Sequence, residues 1–168
     1  MRCSNFLTCS SLLGKRPHAT AAISGDAGHP ALKGTVRFFQ TDAGVIVATD
    51  VAGLPVPAGK CQNPVFAFHI HGGNSCTGNA TDPFADALTH YNPQNCAHPY
   101  HAGDLPPLFG NNGFAFSVVL TNRFTVEEII DKTIIIHSMP DDFTTQPAGN
   151  SGAKIACGVI KKAPNLQR

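Results

Sequence analysis

Six of the eight histidines in this 168-residue chain lie in its middle part, in an order that suits metal binding. The first two, His69 and His71, alternate with Phe66, Phe68 and Ile70 in a short aromatic stretch that predicts a β-strand. Side chains alternate between the two faces of a strand, so both imidazoles project on one side and the apolar groups on the other. Two imidazoles on one face can reach the same metal ion, while the aromatic face enters a core.

A second group of metal-competent side chains crowds into seven residues, as His98, His101 and Asp104. His137 follows a run of three isoleucines that predicts another strand, and His90 lies between the two groups. Each of these pieces occurs by accident in other proteins, and a histidine at the end of a strand is often an ordinary core residue. The prediction of a metal site therefore depends on their combination.

The combined residues divide into two donor sets. His69, His71, His137 and one more imidazole form an all-nitrogen site, which copper binds tightly. The second set has mixed nitrogen and oxygen donors of the kind that Zn²⁺ occupies, and it consists of His98, His101, Asp104 and one more imidazole. His90 can serve both sets, because a deprotonated imidazole has a lone pair on each nitrogen.

The elements that must position these ligands are those of a turn-rich β protein. The chain has 16 Gly, 13 Pro and no Trp, and 168 residues are enough for one domain with a real core. We predict strands at 34–40, 45–51, 66–71, 113–120, 133–137 and 154–160, and a helical turn at 126–130. Six to eight short strands with long excursions favour an all-β Greek-key sandwich or barrel.

Charge and hydropathy exclude several classes of partner. The formal net charge is +1, which does not favour nucleic acid or an anionic membrane surface. No apolar run approaches the roughly 20 residues that span a bilayer. The N-terminus is a poor secretory signal and predicts a nominally cytoplasmic protein, whereas six cysteines suit an oxidising compartment, so localisation stays open. We expect residues 1–27 to form an arm with a short helix and residues 28–168 to form the domain.

The motifs that carry these residues resemble those of the Cu,Zn superoxide dismutases, over roughly residues 31 to 161. They are His-x-His, His-Tyr-Asn-Pro, His-x-x-His-x-Gly-Asp-Leu, Ile-His-x-x-x-Asp-Asp and Gly-Asn-x-Gly-x-Lys-Ile-Ala-Cys-Gly-Val-Ile. The short spacing between His98 and His101 and the segment Gly-Asp-Leu-Pro-Pro are closer to the bacterial branch. The resemblance implies an eight-stranded Greek-key β-barrel with long metal-binding and disulfide loops.

The resemblance also implies roles for individual residues. The copper ligands would be His69, His71, His90 and His137, and the zinc ligands would be His90, His98, His101 and Asp104, with His90 as the bridge. Asp141 would link His69 to His98, and Cys76 would form a disulfide with Cys157. Cys61 and Cys96 either form a second disulfide or stay as two thiols, and we expect the disulfide.

The implied activity is the dismutation of superoxide to dioxygen and hydrogen peroxide, with His90 exchanging a proton. The Arg that guides the anion in this family is Lys154 here, so the charge is kept but the bidentate fork is lost. The alternative is a dismutase-like protein that stores or delivers copper or zinc without turnover, which would not need a cation at Lys154. A homodimer is compatible with the resemblance, although the sequence does not determine the oligomeric state.

Overall fold

The computed structural model describes residues 15–59 and 64–164, and the regular secondary structure in this part of the chain is almost entirely β. The strands are β1 (Ala19–Gly25), β2 (Lys33–Thr41), β3 (Gly44–Ala52), β4 (Val65–Phe66), β5 (Phe68–His71), β6 (Leu108–Phe109), β7 (Phe114–Thr121), β8 (Thr133–His137) and β9 (Lys154–Lys162). One short helix, α1 (Val126–Ile129), lies between β7 and β8, and a 3-10 turn covers Ala85–Ala87. None of these helices has the length and apolar character needed to cross a membrane.

Seven strands form one antiparallel sheet in the order β5-β8-β9-β1-β2-β3-β7, and β4 pairs with β6. The predicted strand at 66–71 is divided at Ala67, whose N–H donates to Met139 O and whose carbonyl accepts from His137 N–H. Before this break the chain forms β4, which pairs with β6, and after it the chain forms β5, which pairs with β8. Counted as one bent strand, β4 and β5 bring the total to eight, and the predicted Greek-key class is confirmed.

The core forms where the inward faces of these strands meet. Phe38, Phe68 and Ile70 are at most 2 % exposed there, and burying an aliphatic or aromatic side chain of this size stabilises the fold by about 1.5–3 kcal/mol. The opposite face of β8 is covered as well, because Ile135 packs with Phe84 in a second, smaller cluster. A strand covered on both faces explains the unbroken run of isoleucines before His137.

The sheet begins earlier in the chain than the sequence suggested. β1 pairs with β2 and with β9, for example Ala21 with Val36 and with Ile160, so residues 19–25 at the end of the predicted arm form a strand of the sheet. The inward positions of β1 include Ala19 and Ala21, whose small side chains give a weak hydrophobic pattern. Residues 1–14, where the short helix of the arm was predicted, lie outside the described part of the chain.

Two long connections carry the chemistry. We call residues 72–107, between β5 and β6, the ligand loop, and residues 138–153, between β8 and β9, the closing loop. A disulfide joins Cys76 in the ligand loop to Cys157 in β9, 81 residues apart. Closing a loop of this length stabilises the fold by about 4.5 kcal/mol in the chain-entropy model. The irregular ligand loop is therefore fixed to the sheet near its start.

Candidate metal centre

Three histidines of the copper set come from two adjacent strands. In the register of β5 and β8, His69 lies opposite Ile135 and His71 opposite Thr133, while His137 ends β8. His71 also forms an isolated bridge with His90, which brings the ligand loop against β5. As a result, one nitrogen from each of four buried imidazoles lies within 4.8 Å of the others, and these belong to His69, His71, His90 and His137.

The zinc set comes entirely from the ligand loop, and its four donor atoms also lie within 4.8 Å of one another. Asp104 is at its centre: Oδ1 is 2.7 Å from His90 Nδ1, and Oδ2 is 3.1 Å from His98 Nδ1 and 3.3 Å from His101 Nδ1. The N–H of His101 donates to Asp104 Oδ2 at 3.0 Å, which closes a tight turn around the carboxylate. All seven predicted ligands are therefore brought together, and His90 is the member common to both sets.

Buried nitrogens without partners test whether these sets fit metal ions. Within the described residues, His69 Nδ1, His90 Nε2 and His98 Nδ1 are buried and have no hydrogen-bond partner. Orphaned buried polar atoms are rare, because desolvation without a new bond is costly. The Nε2 atoms of His71 and His137 are 3.3 Å apart, and two ligands about 2.0–2.1 Å from one tetrahedral ion lie about 3.3 Å apart. The donor sets fit metal ions at both positions.

Asp141 lies between the two sets and contacts one histidine from each. Its Oδ2 accepts from His69 Nε2 at 2.8 Å, and its Oδ1 accepts from His98 Nε2 at 2.9 Å. A carboxylate only accepts, so both Nε2 atoms carry the proton and both Nδ1 atoms keep a free lone pair. His71 Nδ1 donates in the same way to Leu88 O at 2.8 Å. These bonds orient the imidazoles with a lone pair towards the donor clusters.

Comparisons with known proteins agree with this geometry. The family model described as copper/zinc superoxide dismutase (SODC) matches residues 32–160. This chain belongs to that family. Superoxide dismutase [Cu-Zn] of Legionella pneumophila is 35% identical over 150 residues, which are 84% of this chain and 86% of the relative. Superoxide dismutase [Cu-Zn] 2 of Aquifex aeolicus is 32% identical over 143 residues, or 76% of this chain and 78% of the relative.

The structural comparison points the same way. The fold is similar to that of a double-mutant SOD-like protein from Bacillus subtilis, with a TM-score of 0.69 and 27% identity. The alignment covers 86% of this chain and 97% of that protein. The resemblance to the bacterial superoxide dismutases is thus confirmed, and the family together with the two donor sets fits copper and zinc as cofactors.

Burial keeps His71 and His137 in the neutral form that binds metal. Burial, followed by the charge of His69, lowers the pKa of His137 from 6.5 to about 3. The pKa of His71 is also well below its ordinary value, because of burial and the nearby charge of His137. Burial raises the pKa of Asp141, but hydrogen bonds from His69, from a backbone N–H and from His98 outweigh it and lower the value to about 2. Metal ions therefore meet little competition from protons at neutral pH.

A pocket of about 750 Å³ opens beside the copper set and is lined by His71, His90 and His137. Lys154, which we predicted to take the place of the guiding Arg, lines the same pocket at the start of β9. Its Nζ donates to Asp82 Oδ2 at 2.6 Å and to Phe84 O at 3.1 Å. The sequence analysis missed Asp82, because nothing in the local pattern relates it to a lysine 72 residues later.

Two further residues that sequence reasoning missed hold the zinc half of the ligand loop. Arg123 Nη1 donates to three carbonyl oxygens, those of Pro99, His101 and Asp104, at 3.0, 3.3 and 3.1 Å. Gln146 in the closing loop accepts from the His98 N–H at 2.9 Å and donates to the His98 carbonyl at 2.7 Å. Backbone acceptors can belong to any residue type, so no sequence signal marks these contacts.

Of the cysteine predictions, one is confirmed and one remains open. The Cys76–Cys157 disulfide is present. Cys61 lies outside the described residues, so the pairing of Cys61 with Cys96 stays a prediction.

Proposed function

We propose that this chain catalyses the dismutation of superoxide, with copper held by His69, His71, His90 and His137. Zinc is held in this proposal by His90, His98, His101 and Asp104. The main support for this proposal is that one buried imidazole, His90, belongs to two complete four-donor clusters. Its Nε2 has no hydrogen-bond partner among the described residues. Copper, when bound, supplies the reversible one-electron change that both half-reactions require, and zinc contributes a redox-inert charge.

In this proposal His90 also handles the proton that peroxide formation consumes. Its Nδ1 lies 2.7 Å from Asp104 in the zinc set, whereas its Nε2 belongs to the copper set, and the residue lines the pocket. Asp104 and the zinc set hold the ring in place, so that Nε2 is the atom that accepts a proton and returns it to the product. Asp141 keeps the neighbouring rings in the correct tautomer.

Lys154 is the residue that attracts and orients the anion in this proposal. It is the cationic side chain among the residues that line the pocket in the described part of the chain. The whole chain carries a formal charge of only +1, so attraction of superoxide must come from charge close to the pocket. Lys154 supplies that charge next to His137, a member of the copper set.

Metal storage or delivery is the alternative, and the same residues distinguish it from catalysis. A protein that only holds metals needs the two donor sets, but it has no use for a cation in the pocket. The deciding experiment is superoxide consumption by protein reconstituted with copper and zinc, with the metal-free protein and His29→Ala as controls. His29 pairs with Asp26 outside both donor sets. Binding of about one copper and one zinc per chain without superoxide consumption would favour delivery.

We further propose that the chain forms a homodimer through the outward face of β7. Phe114, Phe116 and Leu120 are 61%, 77% and 54% exposed there, and Phe109 of β6 is 69% exposed. At about 150–250 Å² for each large side chain, this uncharged stripe presents roughly 500 Å² of apolar surface. That is a large part of the roughly 800 Å² that each subunit buries in a stable dimer.

Sedimentation velocity tests the homodimer. Phe116→Asp places a charge at the most exposed position of the stripe and should convert the dimer to a monomer at micromolar concentration. Ala22→Asp, at an exposed position of β1, is the matched control and should leave the dimer intact. A wild-type protein that sediments as a monomer would exclude this assembly.

A further inference from the structure

The ammonium group of Lys154 is held by two partners from the ligand loop. Its Nζ donates to Asp82 Oδ2 at 2.6 Å and to Phe84 O at 3.1 Å, and the Lys154 side chain is only 15% exposed. An ammonium group has three N–H donors, so these two contacts leave one. Lys154 and Asp82 both line the pocket that also contains His71 and His137. The remaining donor is thus the one that an anion in this pocket can use.

Asp82 is itself fixed in place, so it can fix its partner. Its Oδ1 accepts from the Phe84 N–H at 3.0 Å, while its own N–H donates to Asn79 Oδ1 at 3.0 Å. The same loop is joined to β9 by the disulfide at Cys157, three residues after Lys154. Burial raises the pKa of Asp82, but the hydrogen bonds from Lys154 and from the Phe84 N–H, together with the charge of Lys154, outweigh burial and lower the pKa, which keeps the carboxylate charged at neutral pH.

We propose that Asp82 is a positioning residue that holds Lys154 in the orientation in which its remaining N–H meets an anion bound at the copper position. This inference rests on the proposed function, because it assigns a task to the pocket beside the copper set. A lysine lacks the rigid fork of an arginine and has a flexible stem with about 2 kcal/mol of rotamer entropy. The contact with Asp82 restores a defined direction to a side chain that would otherwise move through the pocket.

Orientation and net charge lead to opposite expectations when Asp82 is removed. Asp82→Asn makes the pocket more positive by one charge, so a simple field effect would strengthen the binding of any anion. Loss of the orientation of Lys154 would weaken anion binding, even though the pocket attracts anions more strongly at long range. Asparagine keeps an oxygen that can accept from the Phe84 N–H, so the local turn is preserved. The sign of the change in anion affinity therefore decides between the two effects.

The first test is a titration of the protein loaded with copper and zinc with azide, in which the change in copper absorbance reports azide binding. Asp82→Asn should weaken azide binding about threefold to fivefold, the range of a single partly exposed charge contact. Asp82→Glu should recover most of this loss. Asp86→Asn is the matched control, because Asp86 lies in the same loop and bonds to Thr77 rather than to Lys154. Unchanged or tighter azide binding in Asp82→Asn would overturn the proposal.

The second test measures Lys154 directly and does not depend on turnover. Brief treatment with acetic anhydride and peptide mass spectrometry report how readily each lysine is acylated. Lys161, whose side chain is 64% exposed, serves as the internal reference. Acylation of Lys154 relative to Lys161 should rise in Asp82→Asn and stay at the wild-type ratio in Asp82→Glu and Asp86→Asn. An unchanged ratio in Asp82→Asn would show that the contact does not hold Lys154.

These tests separate this inference from the proposed function. If both readouts change as expected but the loaded wild-type protein does not consume superoxide, the dismutation proposal fails and the role of Asp82 in anion binding stands. If superoxide is consumed and neither readout responds to Asp82→Asn, the positioning role fails and dismutation stands.

Discussion

The two halves of the metal centre are built in different ways. His69, His71 and His137 of the copper set are carried by β5 and β8, whose paired backbones set their spacing. The residues of the zinc set instead all lie in the ligand loop. The backbone of this loop accepts hydrogen bonds from the side chains of Arg123 and Gln146, which are distant in the sequence. Ligands on strands are placed by the sheet itself, whereas ligands on a loop depend on contacts that can be removed one at a time.

Because of this difference, some substitutions should affect the binding of one metal more than that of the other. The side-chain hydrogen bonds of Arg123 and Gln146 go to the ligand loop and not to β5 or β8, so replacing either residue should loosen the zinc half more than the copper half. His90 and Asp141 couple the halves, since each contacts both sets.

The largest effect should come from His137→Ala, which removes one imidazole of the copper set from the end of β8. We expect copper content to fall below one tenth of the wild-type value, superoxide consumption to fall to background, and zinc content to persist, because the zinc set is complete without His137. Elemental analysis and a superoxide assay measure these quantities. Retention of full activity would show that the copper set is assigned incorrectly.

Asp141→Asn should weaken both halves at once. An amide has one oxygen, so it cannot accept from His69 Nε2 and His98 Nε2 together as the carboxylate does. Loss of such an orienting acceptor typically costs 10- to 100-fold in metal affinity. Competition with a chelator of known affinity measures each metal separately. A loss confined to one metal would contradict the linking role of Asp141.

Arg123→Met should weaken the zinc half alone, because it removes three hydrogen bonds to carbonyl oxygens of the ligand loop. We expect about a tenfold loss of zinc affinity, equal to about 1.4 kcal/mol, with copper affinity unchanged. Arg37→Met on β2 is the control, since Arg37 lies outside both donor sets. An equal loss of copper would show that the two halves are not independent.

A prediction of a different kind concerns the pH dependence of stability in the protein stripped of metals by a chelator. The pKa values of His69, His71, His101 and His137 are lowered in the folded chain, so the unfolded chain binds more protons below about pH 6.5. The free energy of unfolding should therefore fall as pH decreases from 7.5 to 5.5, by about 1.4 kcal/mol for each histidine that stays neutral. Urea unfolding at the two pH values measures this change.

The two halves should also differ in this measurement. Burial lowers the pKa of His71 to well below its ordinary value and that of His137 to about 3, whereas His101 has a less extreme shift. His137→Gln should then flatten the pH dependence of the unfolding free energy at least as much as His101→Gln. If the unfolding free energy of His137→Gln depended more steeply on pH than that of His101→Gln, the assigned pKa of His137 would be contradicted.

Several features could be predicted because a local pattern carries them. The alternation around His69 and His71 placed two ligands on one face of β5, and the spacing of His98, His101 and Asp104 indicated a turn around one ion. The helical turn predicted at 126–130 is α1, and at its start Glu128 Oε2 accepts from Thr125 N–H and Oγ1. In each case the interacting residues are within a few positions of one another, so short-range geometry decides the contact.

Other features were missed because their local pattern is weak. β1 carries alanines at inward positions, and β6 has only two residues, so neither gives a clear hydrophobic signal. Both strands form because the sheet supplies partners: β1 lies between β2 and β9, and β6 pairs with β4. Partners that are distant in sequence decide such strands.

Residue type and short-range spacing were enough to identify the seven metal-competent side chains and the class of fold. The contacts of Asp82 with Lys154, of Arg123 with the zinc half, and of Asp141 with both His69 and His98 depend on how the chain folds. These contacts join side chains to distant carboxylates or to backbone carbonyls. The folded chain must bring such groups within hydrogen-bonding distance before any of them acquires a role.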